Sequence, residues 1–384
     1  MSRTKLLIPG PVDFGETVRM AMASPSRPHY GREWIRLYTE VQEMLRRLFQ
    51  TKGDILIMAG PGTMALEAAM ASATEPGETI IIPDNGFFAR RLITIAEGLQ
   101  LKTVVPQVEE GKPLTAEVVR EAIEAHPEAK ALAVVHHETS TTVLNPLEAI
   151  TLMAKEAGLI TIVDAVSSMG GVPLPVDAWG VDFCVTVANK ALEIPPALAI
   201  LSVSADGWRA VEARQAARGW YLDLKTWKWY AENWGSWHPT PVTMPTSNMV
   251  ALHTTLMELL DEGVEKRYAA YAAAAHAVRA GLEAMGFPPF VEEAYASPLT
   301  TAFRMRPGVD ADELQRELKE HSGVMISGGI AELHGKILRV GHIGLARKRD
   351  YVVAFLLGVE DFLRRHGEDV PYGASLVALE GLEL

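Results

Sequence analysis

Cysteine is nearly absent: one residue, Cys184, in a chain of 384. No intrachain disulfide can form, which fits a reducing compartment. Long apolar runs are also missing, and without a stretch of about 18 such residues no membrane-spanning helix is expected. The opening segment breaks at Pro9-Gly10-Pro11 after three apolar residues, too few for the core of a secretory signal. A soluble, cytoplasmic protein is the expectation. Positive charge is in deficit, with 36 Lys and Arg against 48 Asp and Glu and a net charge of −12. An acidic surface without a basic tract argues against nucleic acid and against an anionic membrane as partners.

Two ligand signatures are lacking as well. There is no G-x-G-x-x-G turn followed by an acidic residue, so a nicotinamide oxidoreductase is disfavoured. There is no H-E-x-x-H pattern. The adjacent pair His136-His137 falls on a strand, where neighbours point to opposite faces and cannot easily share an ion. No metal is expected, and both histidines read as structural, or one of them as lining a cofactor pocket.

What is present is a large apolar content, 48% hydrophobic residues, enough for more than one core. The first half alternates short apolar runs with amphipathic stretches. The runs at 55–58, 79–83, 102–105, 131–135, 159–164, 183–187 and 199–203 predict strands. The stretches at 64–73, 87–99, 116–125 and 147–157 predict helices between them. Strands alternating with helices imply βαβ units and a mostly parallel sheet covered on both faces. Long helices are expected at 247–262 and 264–285, and the remainder to 365 mixes strand and helix signals. The fold class is therefore α/β, with a large domain over 1–250 and a smaller C-terminal α+β domain over 251–384. Six of the eight tryptophans fall between Trp208 and Trp237. They read either as core and interface packing or as a lid or wall beside a ligand.

Four local features carry chemistry. Gly60-Pro61-Gly62-Thr63 joins a strand to a helix, and a helix N-terminus suits a phosphate; a plain capped turn is the alternative. Asp164 ends an apolar strand, where α/β folds bind ligands. Its carboxylate suits a protonated ring nitrogen or, equally, a helix cap. Lys190 follows another apolar strand. A buried lysine sheds its charge readily and can form a Schiff base; a surface lysine is the alternative. Arg339 interrupts an apolar strand pattern, where its planar fork suits a substrate carboxylate or a structural ion pair.

In combination and order these residues resemble the class V aminotransferases of pyridoxal-5'-phosphate (PLP) fold type I. The nearest subgroup is the alanine–glyoxylate, serine–glyoxylate and serine–pyruvate enzymes. The motifs PGP, GPGTMALEAA, NGFFARR, HETSTTVLNPL, DAVSSMGG, ANKAL, HPTP and RVGHIG occur in family order, with Asp164 and Lys190 26 positions apart. The resemblance implies a large domain with a mostly parallel seven-stranded sheet, a smaller C-terminal domain, PLP as cofactor and a homodimer. It implies that Lys190 carries the cofactor and shuttles the Cα proton, and that Asp164 keeps the pyridine nitrogen protonated. Gly62, Thr63 and Asn189 would hold the phosphate, Phe88 and Val166 would sandwich the ring, and Thr139 would touch its phenolic edge. Thr240 would reach the phosphate of the other subunit. Arg339, helped by the backbone near Gly10, would bind the substrate carboxylate.

The implied reaction moves an amino group from a small L-amino acid, alanine or serine, to glyoxylate or pyruvate. The alternatives are 2-aminoethylphosphonate–pyruvate and pyridoxamine–pyruvate transamination, or a non-catalytic relative. Four departures from the family pattern stand out: Pro61 in place of a common Ser, Phe88 where some relatives have Trp, Trp237 in place of a common Tyr, and Glu193-Ile194-Pro195-Pro196-Ala197 where small residues are usual. A desulfurase needs a mobile cysteine after the lysine. Cys184 lies before it, in a strand, and reads as a small hydrophobe.

Overall fold

The computed structural model describes residues 4–379. Seven strands form the main sheet: β1 (Asp54–Ala59), β2 (Thr79–Ile81), β3 (Lys102–Val104), β4 (Ala131–Val135), β5 (Ile160–Asp164), β6 (Phe183–Val187) and β7 (Leu198–Val203). Their order across the sheet is β1-β7-β6-β5-β4-β2-β3. Only β7 runs antiparallel to its neighbours, so the sheet is mostly parallel as expected. Every residue of β4, β6 and β7 is buried. That burial accounts for the unbroken apolar runs in the sequence.

Alternate residues of each strand serve two different cores. Ile55 and Ile57, Leu132 and Val134 join one core with α1 (Glu16–Met22), α2 (Arg32–Phe49), α5 (Ala116–Ala125), α6 (Leu147–Glu156) and α9 (Thr246–Glu262). Leu56 and Met58, Ala131 and Ala133 join the other with α3 (Gly62–Ala73), α4 (Phe87–Gly98), α7 (Ala205–Ala213) and α8 (Leu224–Asn233). A third core gathers α10 (Val264–Ala284), α11 (Ala311–Ser322) and α12 (Arg349–Arg365) over an antiparallel sheet. That sheet comprises β8 (Thr300–Arg304), β9 (Ser327–Gly328) and β10 (Ile337–Gly341), with β10 central. Leu7, near the start of the chain, is buried in this third core.

Two tryptophans of the 208–237 region, Trp208 and Trp227, are buried, whereas Trp220, Trp229, Trp234 and Trp237 are 41–55% exposed. The segment is thus part core and part surface. Among the described residues no helix is long and apolar enough to cross a membrane.

Candidate active site

β1, β2, β4, β5 and β6 all end at the same edge of the sheet. The turns that leave them carry most of the chemically distinctive residues of the sequence. One cavity of about 460 Å³ opens there, lined among others by Gly62, Thr63, Phe88, Thr139, Asp164, Val166, Asn189 and Lys190. Ligand sites at the carboxyl edge of an open α/β sheet are the rule.

Gly62 begins α3. A Cβ there would come within 2.7 Å of Val166 and 2.8 Å of Val187, so only glycine lets the helix start pack this closely on β6 and the turn after β5. Asp164 ends β5 and is 6% exposed. Its carboxylate accepts from the Val166 N–H at 2.9 Å. Burial pushes its carboxyl up to about 6, against that hydrogen bond and the positive charges of Arg91 and Lys190.

The turn after β6 presents Lys190, whose Nζ donates to the Pro9 carbonyl at 2.7 Å. Burial pulls its ammonium down to about 8, with a further push from Arg339, while Asp164 opposes the shift. Gly10 lies against this amine: a Cβ on Gly10 would sit 2.5 Å from Nζ. A free base titrating near 8 has a consequence for kinetics. The rate at which this amine condenses with an added aldehyde is expected to rise as the pH climbs through about 8 and to level off above it. A stopped-flow pH profile checks this, and a rise centred near the ordinary lysine value of 10.5 would contradict it.

Arg339 sits at the middle of β10, 6% exposed. Its Nε donates to Gly328 O at 2.9 Å and one terminal nitrogen to Thr139 O at 2.7 Å. Among the described residues no carboxylate lies within ion-pair distance of it. The structural ion pair considered from sequence is therefore not formed there. Burial lowers its guanidinium to about 10, with Glu138 opposing.

Three more residues join the site: His137, one of the two histidines read from sequence as structural or as lining a cofactor pocket, and Arg91 and Glu138, which sequence reasoning did not single out. His137 lines the cavity, its Nδ1 3.1 Å from Ser167 O and Nε2 3.2 Å from Thr300 Oγ1; burial drives it down to about 4, so the ring is neutral. Arg91 also lines the cavity, with its guanidinium carbon 4.7 Å from the centre of the Phe88 ring. The spacing from Phe88 to Arg91 within NGFFARR places both on one helical face, and that was a readable signal. Glu138 is fully buried and accepts from the backbone N–H groups of Phe88 at 3.0 Å and Ala89 at 3.1 Å, and from the N–H and hydroxyl of Ser140. It caps α4 from another element, because Gly86 at the N-cap supplies no side chain. A Cβ on Gly86 would come 2.5 Å from Glu138 Cγ, so glycine is needed for this remote cap.

Thr240 is not brought to this cavity within the chain. It is fully buried, and its hydroxyl donates to Val242 O at 3.0 Å. His29 packs on His238 and Tyr30 on Trp237.

Comparison with known proteins agrees with this architecture. A family model described as Aminotransferase class-V matches residues 17–342. A protein of Anabaena cylindrica named soluble hydrogenase 42 kDa subunit is 36% identical over 97% of both chains. The crystal structure of a ureidoglycine–glyoxylate aminotransferase from Bacillus subtilis superposes with a TM-score of 0.93 at 29% identity, covering 99% of this chain and 98% of that one. That of an alanine–glyoxylate aminotransferase from Nostoc sp. gives 0.90 at 30% identity, covering 95% and 96%.

Proposed function

The chain belongs to the class V aminotransferases, and from that premise we propose that it transfers an amino group from a small L-amino acid, alanine or serine, to glyoxylate or pyruvate, with pyridoxal phosphate held at the cavity over β5 and β6. The family is PLP-dependent, and the donor set here fits that group. An aromatic wall (Phe88), an apolar floor (Val166), a buried acid (Asp164), a lysine of lowered pKa (Lys190) and a helix N-terminus (Gly62, Thr63) surround one space. When bound, the cofactor supplies the electron sink that lets an amino acid lose its Cα proton.

The chain's own residues do the rest. Asp164 would hold a proton on the ring nitrogen, and its burial keeps the pair out of competing water. Lys190, whose amine is neutral over part of the physiological range, would take and return the Cα proton. Gly62, Thr63 and Asn189 would hold the phosphate, Phe88 and Val166 would fix the ring plane, and Thr139 would meet its oxygen edge. Arg339 would orient the substrate carboxylate beside Gly10. Its fork is already held by Thr139 O and Gly328 O, so little ordering remains to be done on binding.

The observation that carries the reading is the buried Arg339, a guanidinium that makes no ion pair among the described residues and that lies outside the cavity lining yet close enough to act on Lys190. The lysine feels its charge. Retention of Lys190, Asp164 and Arg339 together favours an active transaminase over a non-catalytic subunit.

We also propose a homodimer in which Thr240 serves the partner's phosphate site. The support is a ladder of aromatic rings, exposed but for the half-buried Tyr230: Trp229 with Tyr230, Trp229 with Trp234, Trp234 with Trp237 and Tyr30 with Trp237. Contiguous exposed apolar surface of this kind marks protein contact.

The test is the visible spectrum of the PLP-loaded protein before and after L-alanine, L-serine, 2-aminoethylphosphonate or pyridoxamine is added separately. Bleaching of the yellow band by alanine or serine is the expected result. Bleaching by the phosphonate alone, or turnover of pyridoxamine alone, would replace the donor class. No band at all would overturn the assignment.

A further inference from the structure

The departure at Glu193 has no part in the chemistry so far. The residue follows Lys190 by three positions and is buried at 7% exposure in the left-handed backbone region, φ 56°. A non-glycine residue persists there only when its surroundings hold it. Two backbone hydrogen bonds close the lysine turn: Glu193 N–H to Lys190 O at 2.9 Å and Ile194 N–H to Ala188 O at 3.0 Å. The side chain then leaves the turn and enters the C-terminal part of the molecule. There one carboxylate oxygen accepts from Arg267 at 2.9 Å, from the Tyr271 hydroxyl at 2.9 Å and from Arg347 at 2.7 Å. Arg267 and Tyr271 belong to α10, and Arg267 is also paired with Glu262.

Arg347 closes the short 3-10 turn Gly344–Arg347, which comes just after β10, the strand of Arg339, and it donates to Gly344 O at 2.7 Å. A second tether runs from the same strand to the lysine. Gly341 N–H donates to Leu7 O at 2.8 Å, and the segment so held carries Pro9 O, the acceptor for Lys190 Nζ. The strand of the guanidinium is therefore tied to Lys190 twice, once at the ammonium and once, through Glu193, at the backbone of its turn.

We propose that Glu193 is a positioning residue: its carboxylate, clasped by Arg267, Tyr271 and Arg347, sets the Lys190 turn against the Arg339 strand and so fixes the separation between the reacting amine and the carboxylate anchor. Two guanidinium charges meet the Glu193 and Glu262 carboxylates, so the clasp is charge-balanced without solvent. Its donors are spread over two elements, so a displacement of either reaches the lysine. The proposal rests on the transaminase reading, which gives the amine and the anchor their roles; its exchange test does not.

Two measurements decide it, on Glu193→Gln, Arg347→Met and the double variant, with Tyr271→Phe as a milder lesion should either single variant fail to fold. The first is hydrogen exchange at the amides of Glu193 and Ile194, which needs no cofactor. Release of the tether is expected to speed it about tenfold or more while amides in β5 are unchanged. The second is the single-turnover rate at which the amino donor bleaches the cofactor band. It is expected to fall about tenfold or more with the band itself unshifted, since sub-ångström misplacement is costly in rate. The double variant is expected to be no worse than the worse single one, because the residues act as one unit.

Faster exchange with an unchanged bleaching rate would reduce the clasp to a structural tether and overturn the proposal. Unchanged exchange in every variant would overturn it as well. A wild-type protein that no donor bleaches would instead sink the transaminase reading, and the exchange data alone would then decide whether Glu193 holds the turn.

Discussion

Replacing Lys190 with alanine is expected to lower kcat by about 10⁴-fold or more, since an acid–base group alone is typically worth 10²–10⁴ and the covalent anchor is lost with it. The protein should still fold. Lys190 is buried chiefly as a cost: its ammonium is held down to about 8 by desolvation, and its polar contact is the single bond to Pro9 O. Removing it relieves that cost and vacates space beside Gly10, where the amine presses closest. Cofactor binding through Gly62, Thr63, Asp164 and Phe88 should survive, without the spectral signature of a lysine adduct. Measured kcat together with equilibrium dialysis of PLP checks both halves. Wild-type turnover in Lys190→Ala would remove the lysine from the mechanism.

Arg339→Ala is the second large effect. Truncating one partner of a buried, hydrogen-bonded charge pair costs about 2–5 kcal/mol, which is roughly 30- to 4,000-fold in kcat/KM for a carboxylate-bearing donor at 1.4 kcal/mol per tenfold. The loss should fall mainly on KM. Arg339→Lys should recover only part of it, because a point charge cannot reproduce a planar fork gripping two oxygens. Thr139 O and Gly328 O each lose a donor in the alanine variant, so a melting measurement is needed beside the kinetics. An unchanged KM and kcat in a folded Arg339→Ala protein would mean that another group anchors the carboxylate.

The strands of the main sheet could be read from the sequence because helices bury both faces, leaving apolar runs with nothing polar to blur them. Their ends were harder to place. The run expected over 79–83 stops as a strand at Ile81, although the Ile82 N–H still donates to Val104 O; Pro83 has no N–H to continue the ladder. The expected run at 199–203 begins one residue earlier, at Leu198, which pairs with Ala59.

At the site, Lys190, Asp164, Gly62, Thr63, Phe88, Thr139, Val166 and Asn189 surround one cavity because each lies at a strand end, in a turn or at a helix start along the same sheet edge, and the motif order reported that edge. Glu138 escaped notice because its partners, the N–H groups of Phe88 and Ala89, lie about 50 residues away in the chain and no local pattern encodes them. The clasp of Glu193 spans similar distances, to Arg267 and Arg347. Thr240 differs again. Its proposed partner is another subunit, and contacts inside one chain carry no trace of that.

The most direct test of the central claim is reduction of the PLP-loaded protein with borohydride, followed by peptide mass mapping. The account predicts a pyridoxyl group on the peptide containing Lys190 and loss of that label when L-alanine or L-serine is added before reduction. A label on a different lysine, or no label on a protein that binds PLP, would contradict it.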